Sequence, residues 1–273
     1  MTRRLALIAG TGALVPEVLA AARQSGFELL VLSIRDLPGL AGARLVKFRL
    51  SQPQVAIDAI RQFGATHFTL AGGVALSDLM REGLARFLSG GAADVSLGDT
   101  GISELVLRVR ELTGAEPLGV HEIAPNLLAP EGLIGGPAPS AELQEFARHA
   151  LDLARRAGSL DLGQALVTAG RRAIAAEDIG GTDALLRRVR RLRWKRLVAD
   201  GDASPLVLAK CPKPGQPRHI DLPAIGPQTV RNAKKSGIRL IALEAGGSLL
   251  IDRAGLRAEA TRLGISVIGL AHG

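Results

Sequence analysis

The sequence predicts an α/β protein built as two domains, and three observations carry that prediction. Short apolar runs alternate with amphipathic stretches along all 273 residues, the pattern of strands wrapped by helices. A stretch dense in proline and glycine interrupts the alternation near the middle. The charge steps at the same place. Residues 1–130 hold 12 basic and 12 acidic side chains, the remaining 22 basic and 14 acidic ones follow, and the net charge of +8 therefore lies in the second half.

Leu5–Ala9 is a short apolar run that stops at Gly10, as a buried parallel strand does. The next stretch is helical, with Leu14, Val18, Leu19 and Ala22 on one face, and it ends at Ser25-Gly26. Glu28–Leu32 reads as the second strand. Pro53 opens a helix that runs to Phe63, because proline fits the first helical turn. His67–Leu70 is the next strand, and Gly72-Gly73 is its turn. Ile102–Leu112 is helical and Leu118–Val120 is strand-like. Right-handed crossovers between such strands give a parallel sheet, so residues 1–130 are predicted as a Rossmann-like domain.

Residues 131–140 are assigned as a Pro/Gly linker, since proline removes backbone donors and glycine disfavours regular structure. Ser140 caps a helix that runs to about Ala157, with Gly158 after its end. Leu166–Thr168, Leu206–Ala209, Ile238–Leu243, Leu249–Ile251 and Val267–Leu270 then read as strands. Thr182–Leu192, Pro227–Ser236 and Arg253–Leu263 read as helices. Residues 141–273 are predicted as a second α/β domain. Ligand is expected in the cleft between the two.

Composition excludes several classes. Hydrophobic residues are 47% and charged residues 22%, too apolar for a disordered chain. The single cysteine, Cys211, excludes an intramolecular disulfide framework and fits a reducing compartment. No run of ~18 uncharged apolar residues offers a spanning helix. The first residues lack the h-region of a signal peptide, and a cytoplasmic protein is expected. Aromatics are 3%, which argues against base-stacking platforms, and no nucleic-acid partner is expected. The cluster Arg187, Arg188, Arg190, Arg191, Arg193, Lys195 and Arg196 reads either as a solvated helix face or as a contact for phosphate or a membrane surface.

Four segments could carry chemistry. Gly10-Thr11-Gly12 follows the first strand and opens a helix, where backbone can approach an anion. The dinucleotide fingerprint wants a third glycine where Val15 stands, so an NAD(P)-dependent oxidoreductase is the weaker alternative. Thr182 and Asp183 stand at a helix start, where a cap or first-turn acid explains Asp183 without a ligand. His121-Glu122 lies at a strand end. Lys210, Cys211, Lys213, Arg218 and Asp221 share a proline-stiffened loop, in which cations would hold phosphate oxygens and the carboxylate would hold Mg²⁺ or orient water. The five histidines show no metal-ligand spacing, and Cys211 is not expected to act as nucleophile.

Taken in order, the segments Leu7–Gly12, Gly119–Glu122, Leu162–Gln164, Gly181–Val189, Ala209–Pro214, Ile220–Gly226 and Glu244–Gly246 resemble the LpxI family, the UDP-2,3-diacylglucosamine pyrophosphatases of lipid A synthesis. Thr100, Gly180 and the glycines of Ala71–Val74 depart from the family pattern. The resemblance implies Mg²⁺-dependent hydrolysis to UMP and lipid X, with water attacking the phosphorus on the sugar side. It implies Asp221 as the essential aspartate. The loop's own chemistry adds Lys210 and Lys213 as catalytic helpers, and Asp183 is the weaker choice for a second carboxylate and metal ligand. Substrate contacts are expected at Gly10, Thr11, Gly12, Gly72, His121, Gln164, Thr182, Arg187, Arg218 and Glu244. A diacylated substrate implies peripheral contact with the inner membrane surface. A homodimer is expected.

Overall fold

The computed structural model describes residues 3–34, 43–73, 99–198, 201, 203–215, 217 and 222–271, with no side chains described at 99–102. The chain is α/β and divides into two compact units, Met1–Asn126 and Leu127–Gly273. Each has its own sheet.

The N-terminal sheet is wholly parallel. Its strands are β1 (Arg4–Ala9), β2 (Glu28–Ser33), β3 (Arg44–Lys47), β4 (His67–Ala71) and β5 (Glu116–Pro117), in the order β3-β2-β1-β4-β5. Strands buried on both faces must be apolar throughout, which is why Leu5, Ala6 and Leu7 are all fully covered. Helix α1 (Leu14–Gln24) lays Val15, Val18, Leu19 and Ala22 on β1 and β2. Helix α2 (Pro53–Phe63) ends at Gly64 in the left-handed region, and it packs with α3 (Asp99–Thr113). The expected strand at 118–120 is corrected: the strand is β5, two residues earlier, and Val120–Ile123 forms a short helix, α4. Too few apolar residues stand between Pro117 and Pro125 to separate a strand from a helical turn.

The C-terminal sheet is mixed. It contains β6 (Gly132–Gly135), β7 (Ala165–Ala169), β8 (Arg172–Ala176), β9 (Leu206–Lys210), β11 (Leu240–Glu244) and β13 (Ser266–Leu270), in the order β6-β13-β11-β9-β7-β8. β9, β11 and β13 run parallel, while β6 and β7 run against their neighbours. A separate two-stranded ribbon joins β10 (Ala224–Ile225) to β12 (Leu249–Leu250). The stretch 131–140 is therefore not a bare linker: β6 is an edge strand of the C-terminal sheet, with Ile134 buried in its core.

Side-chain alternation fixes the layers. On β9, Leu206 and Leu208 face one core while Val207 and Ala209 face the other. Helix α5 (Ala141–Ser159) covers the second face with Ala147, Ala150, Leu151 and Ala154. Helices α6 (Gly181–Trp194), α7 (Pro227–Lys235) and α8 (Arg253–Leu263) cover the first with Leu186, Val230 and Leu256. Ser140 caps α5 as expected, its Oγ accepting from the Leu143 amide at 3.2 Å. Gly158 lies inside α5 rather than beyond it, where a Cβ would stand 3.3 Å from Pro214 Cδ and 3.5 Å from Lys213 Cα. The glycine lets the Lys213 loop lie down on the helix.

Candidate functional site

The topology brings the polar segments of the C-terminal unit to one edge. Parallel β9 and β11 end there at Lys210 and Glu244, and antiparallel β7 begins there, with Ala165 opposite Lys210. The carboxyl edge of parallel strands is where α/β sheets bind ligands.

Lys210 is 5% exposed, the one charged residue buried this deeply among those described. Its ammonium donates to Thr182 Oγ1 at 2.8 Å and to the Ala224 carbonyl at 3.3 Å. Because Thr182 accepts from the lysine, its own proton goes elsewhere, and it donates to Glu177 Oε1 at 2.6 Å. The other Glu177 oxygen accepts from the Gln164 backbone N–H at 3.0 Å. A buried ammonium is costly without a carboxylate nearby. Glu177 supplies it through one hydroxyl. Gly163 makes this possible: a Cβ there would stand 2.7 Å from the Glu177 carbonyl, and its φ of +100° suits glycine alone.

Two further ion pairs frame the edge. Lys213 Nζ meets Asp161 Oδ1 at 2.7 Å, under the end of α5. Arg155 Nε meets Glu244 Oε2 at 2.8 Å. Beside them Cys211 is 1% exposed, and burial first, then the Glu244 charge, pushes its thiol up to about 12. A thiol so protonated is no nucleophile. Asp178 is exposed; its carboxyl is held below the usual range by the Gly180 amide and then by Arg188.

The other expected residues divide. Gln164 and Thr182 join the Lys210 edge, and Glu244 stands at it. Asp183 is a first-turn acid of α6 rather than its cap, which is Gly180; its Oδ1 accepts from Asn232 of α7 at 2.8 Å. Arg187 is exposed further along α6. Arg218 and Asp221 lie outside the described residues, as does the side chain of Asp99. His121 sits on α4 of the other unit. Glu177, Arg155 and Asp161 were not foreseen.

In the N-terminal unit the glycines bring backbone to backbone. Thr11 and Gly73 exchange amide bonds of 2.8 and 2.9 Å, and Thr11 Oγ1 donates to the Gly73 carbonyl at 3.0 Å. A Cβ at Gly10 would stand 2.5 Å from that carbonyl, and one at Gly72 would stand 2.6 Å from the Thr11 carbonyl. Gly10 and Gly72 thus serve the meeting of two loops. Gly12, at φ +105°, completes the turn with open space beside it.

Among the described residues no three of His, Cys, Asp or Glu gather as a metal centre would need. Of the two expected Mg²⁺ ligands, Asp183 has Oδ1 engaged by Asn232 and Oδ2 with no described hydrogen bond, and Asp221 lies outside the described residues. No described helix is long and apolar enough to cross a membrane.

Comparison with known proteins follows the same division. The LpxI N-terminal domain model matches residues 4–127, and the LpxI C-terminal domain model matches residues 130–268. A protein of Caulobacter vibrioides, named UDP-2,3-diacylglucosamine pyrophosphatase LpxI, is 33% identical over 274 residues, covering 98% of both chains. Among solved structures, a mutated uronate dehydrogenase aligns at 18% identity and a TM-score of 0.27, over 51% of this chain and 43% of that one. That likeness is too slight to support a dehydrogenase reading.

Proposed function

The chain belongs to the LpxI family, and we propose from this that it is a UDP-2,3-diacylglucosamine pyrophosphatase of lipid A biosynthesis. It adds water across the phosphoanhydride bond and releases UMP and lipid X. The observation that carries the reading is the match of both family domains along nearly the whole chain, with the polar cluster of Lys210 inside the second.

The chain's own chemistry suits that bond. As the anhydride breaks, negative charge grows on the departing phosphate, and a fixed cation in a dry setting stabilises it strongly. Lys210 is such a cation. Its two described hydrogen bonds hold the ammonium at the sheet edge, where its third proton can meet a phosphate oxygen. Thr182, oriented by Glu177, fixes where that ammonium stands. Lys213 adds a second charge from the α5 side. Past Gly180 and Gly181, whose amides go to Asp178, the first turn of α6 lies at the same end, where a helix start favours anions. Asp221 is proposed to receive the proton of the attacking water. Arg218 and Arg187 are proposed substrate contacts.

Other parts of the reading go further. The strand order of the N-terminal sheet supports a Rossmann-like description of that unit. Mg²⁺ dependence, with Asp221 and Asp183 as ligands, comes from the family resemblance, and no step here is routed through the ion. The protein is proposed to act in the cytoplasm as a homodimer touching the inner membrane.

One assay tests the core of the proposal: UMP release from UDP-2,3-diacylglucosamine, with and without EDTA. Release by the wild type and its loss in Asp221→Asn, by about 10²–10⁴-fold, is expected. An amide keeps the shape of the side chain but cannot take the proton. Near-normal release by Asp221→Asn would move the role to Asp183 or Asp99. Full release in EDTA would remove the metal from the proposal.

A further inference from the structure

We infer that the exposed face of α6 docks on an anionic lipid bilayer, with Trp194 as its interfacial anchor; this rests on the lipid-substrate reading above. α6 buries Leu185, Leu186 and Val189 against the sheet. Its opposite stripe, Asp183, Arg187, Arg190, Arg191 and Trp194, falls at helical spacing and is exposed. From Ala184 to Val198 the chain carries seven cations and no acid. Arg187, Arg190, Arg191, Lys195 and Arg196 form no ion pair with any described residue. α7 brings Lys234 and Lys235 nearby, and Gly237 after it lies against the Arg193 guanidinium.

Two large apolar side chains stand at the end of this basic stripe: Trp194 is 78% exposed and Leu197 63%. Arginines beside an exposed indole and a leucine match a bilayer interface in composition. Lipid phosphates meet the guanidinium groups, and the ring rests at headgroup depth with its N–H still wet. A second copy of this face would be repelled by its own charge. A nucleic acid would satisfy the cations but leave Leu197 in water. α6 is about 20 Å long at ~1.5 Å per residue. Lying along the bilayer, it holds its first turn, and so Thr182 and Lys210, at the level where a lipid-linked pyrophosphate sits.

Trp194 is the chain's only tryptophan, so its emission reports on this face without a label. The full chain is titrated with phosphatidylcholine vesicles with and without phosphatidylglycerol. A blue shift and quenching by brominated acyl chains are expected with the anionic vesicles only, weakening as salt rises. Arg190→Glu combined with Arg191→Glu should cut vesicle partitioning at least about tenfold. The same variant should release UMP normally from detergent-dispersed substrate, which also shows that it folds. No blue shift, or equal partitioning by the variant, overturns the inference. So does a shift produced by duplex DNA alone, or one that grows with protein concentration in the absence of vesicles. If the wild type binds anionic vesicles but releases no UMP, the functional reading fails and the docking surface stands.

Discussion

The two units use glycine alike, to admit a second stretch of chain, but to different ends. In the N-terminal unit Gly10 and Gly72 let the loops after β1 and β4 close on each other, and the contact they permit is backbone against backbone. In the C-terminal unit Gly163 admits the Glu177 backbone and Gly158 admits Lys213 Cα and the Pro214 ring, but the segments so admitted carry charged side chains: Glu177 reaches Thr182 and Lys213 reaches Asp161. A glycine-rich turn after a strand suggests a ligand, yet what approaches the glycine decides the matter. At the first turn it is another strand's loop. At the second edge it is a charged network in search of an anion.

The sharpest way to separate the units is to remove the buried cation. Lys210→Met should keep the fold and lower kcat/KM for UMP release by about 10²–10³-fold, the usual cost of losing one fixed donor to developing charge. Thr11→Ala, its N-terminal counterpart, should leave kcat within about threefold, since Thr11 Oγ1 serves a loop. Comparable losses in the two variants would erase the contrast. Next comes Lys213→Ala, expected to cost about tenfold in detergent, whereas the exposed Lys234→Ala should change stability and activity little. Equal effects would mean that only bulk charge counts.

Gly10→Ala tests the other half of the comparison. Overpacking against the Gly73 carbonyl should lower stability by about 1–3 kcal/mol, read from the urea midpoint, with KM unchanged for the molecules that remain folded. A raised KM at unchanged stability would give the N-terminal glycines a ligand after all. The smallest effect is expected at Cys211. Its thiol stays protonated to about 12 in the folded chain, against an ordinary 9.0. Iodoacetamide at pH 8 should leave the native enzyme fully active and label it only in urea. Between those two values the native state keeps a proton that the unfolded state has lost, so this group's contribution to stability falls as pH rises through that window.

Strands buried on both faces were legible because nearly every residue in them is apolar: Leu5–Ala9 and Leu206–Ala209 needed no other signal, and the run read at Ile238–Leu243 becomes a strand from Leu240, past Arg239. The edge strands were not. β3 is Arg44-Leu45-Val46-Lys47, largely exposed, and β8 begins at two exposed residues, so neither shows an apolar run. β6 hides among glycines and prolines, and its partner β13 lies far along the chain. Of the site, Lys210, Lys213 and Thr182 could be named from their segments. Glu177 could not, for nothing local marks it. The signal was indirect: a lysine at the end of an apolar strand is buried there only if a carboxylate is brought to it. Thr182, 28 residues before Lys210, is the bridge.

The pairing of β6 with β13 also sets a clock on synthesis. Gly135 and Val267 are register partners. At ~5–20 residues per second, roughly 7–26 s separate the emergence of one from that of the other. Throughout that interval β6 has no partner strand, and at its end β11, once made, lacks one of its two neighbours until β13 follows. An open strand edge recruits other chains. The unit therefore passes through a window in which a holding chaperone, or slow accumulation of the nascent chain, decides between folding and aggregation. A stop that removes Ser266–Leu270 would make that window permanent.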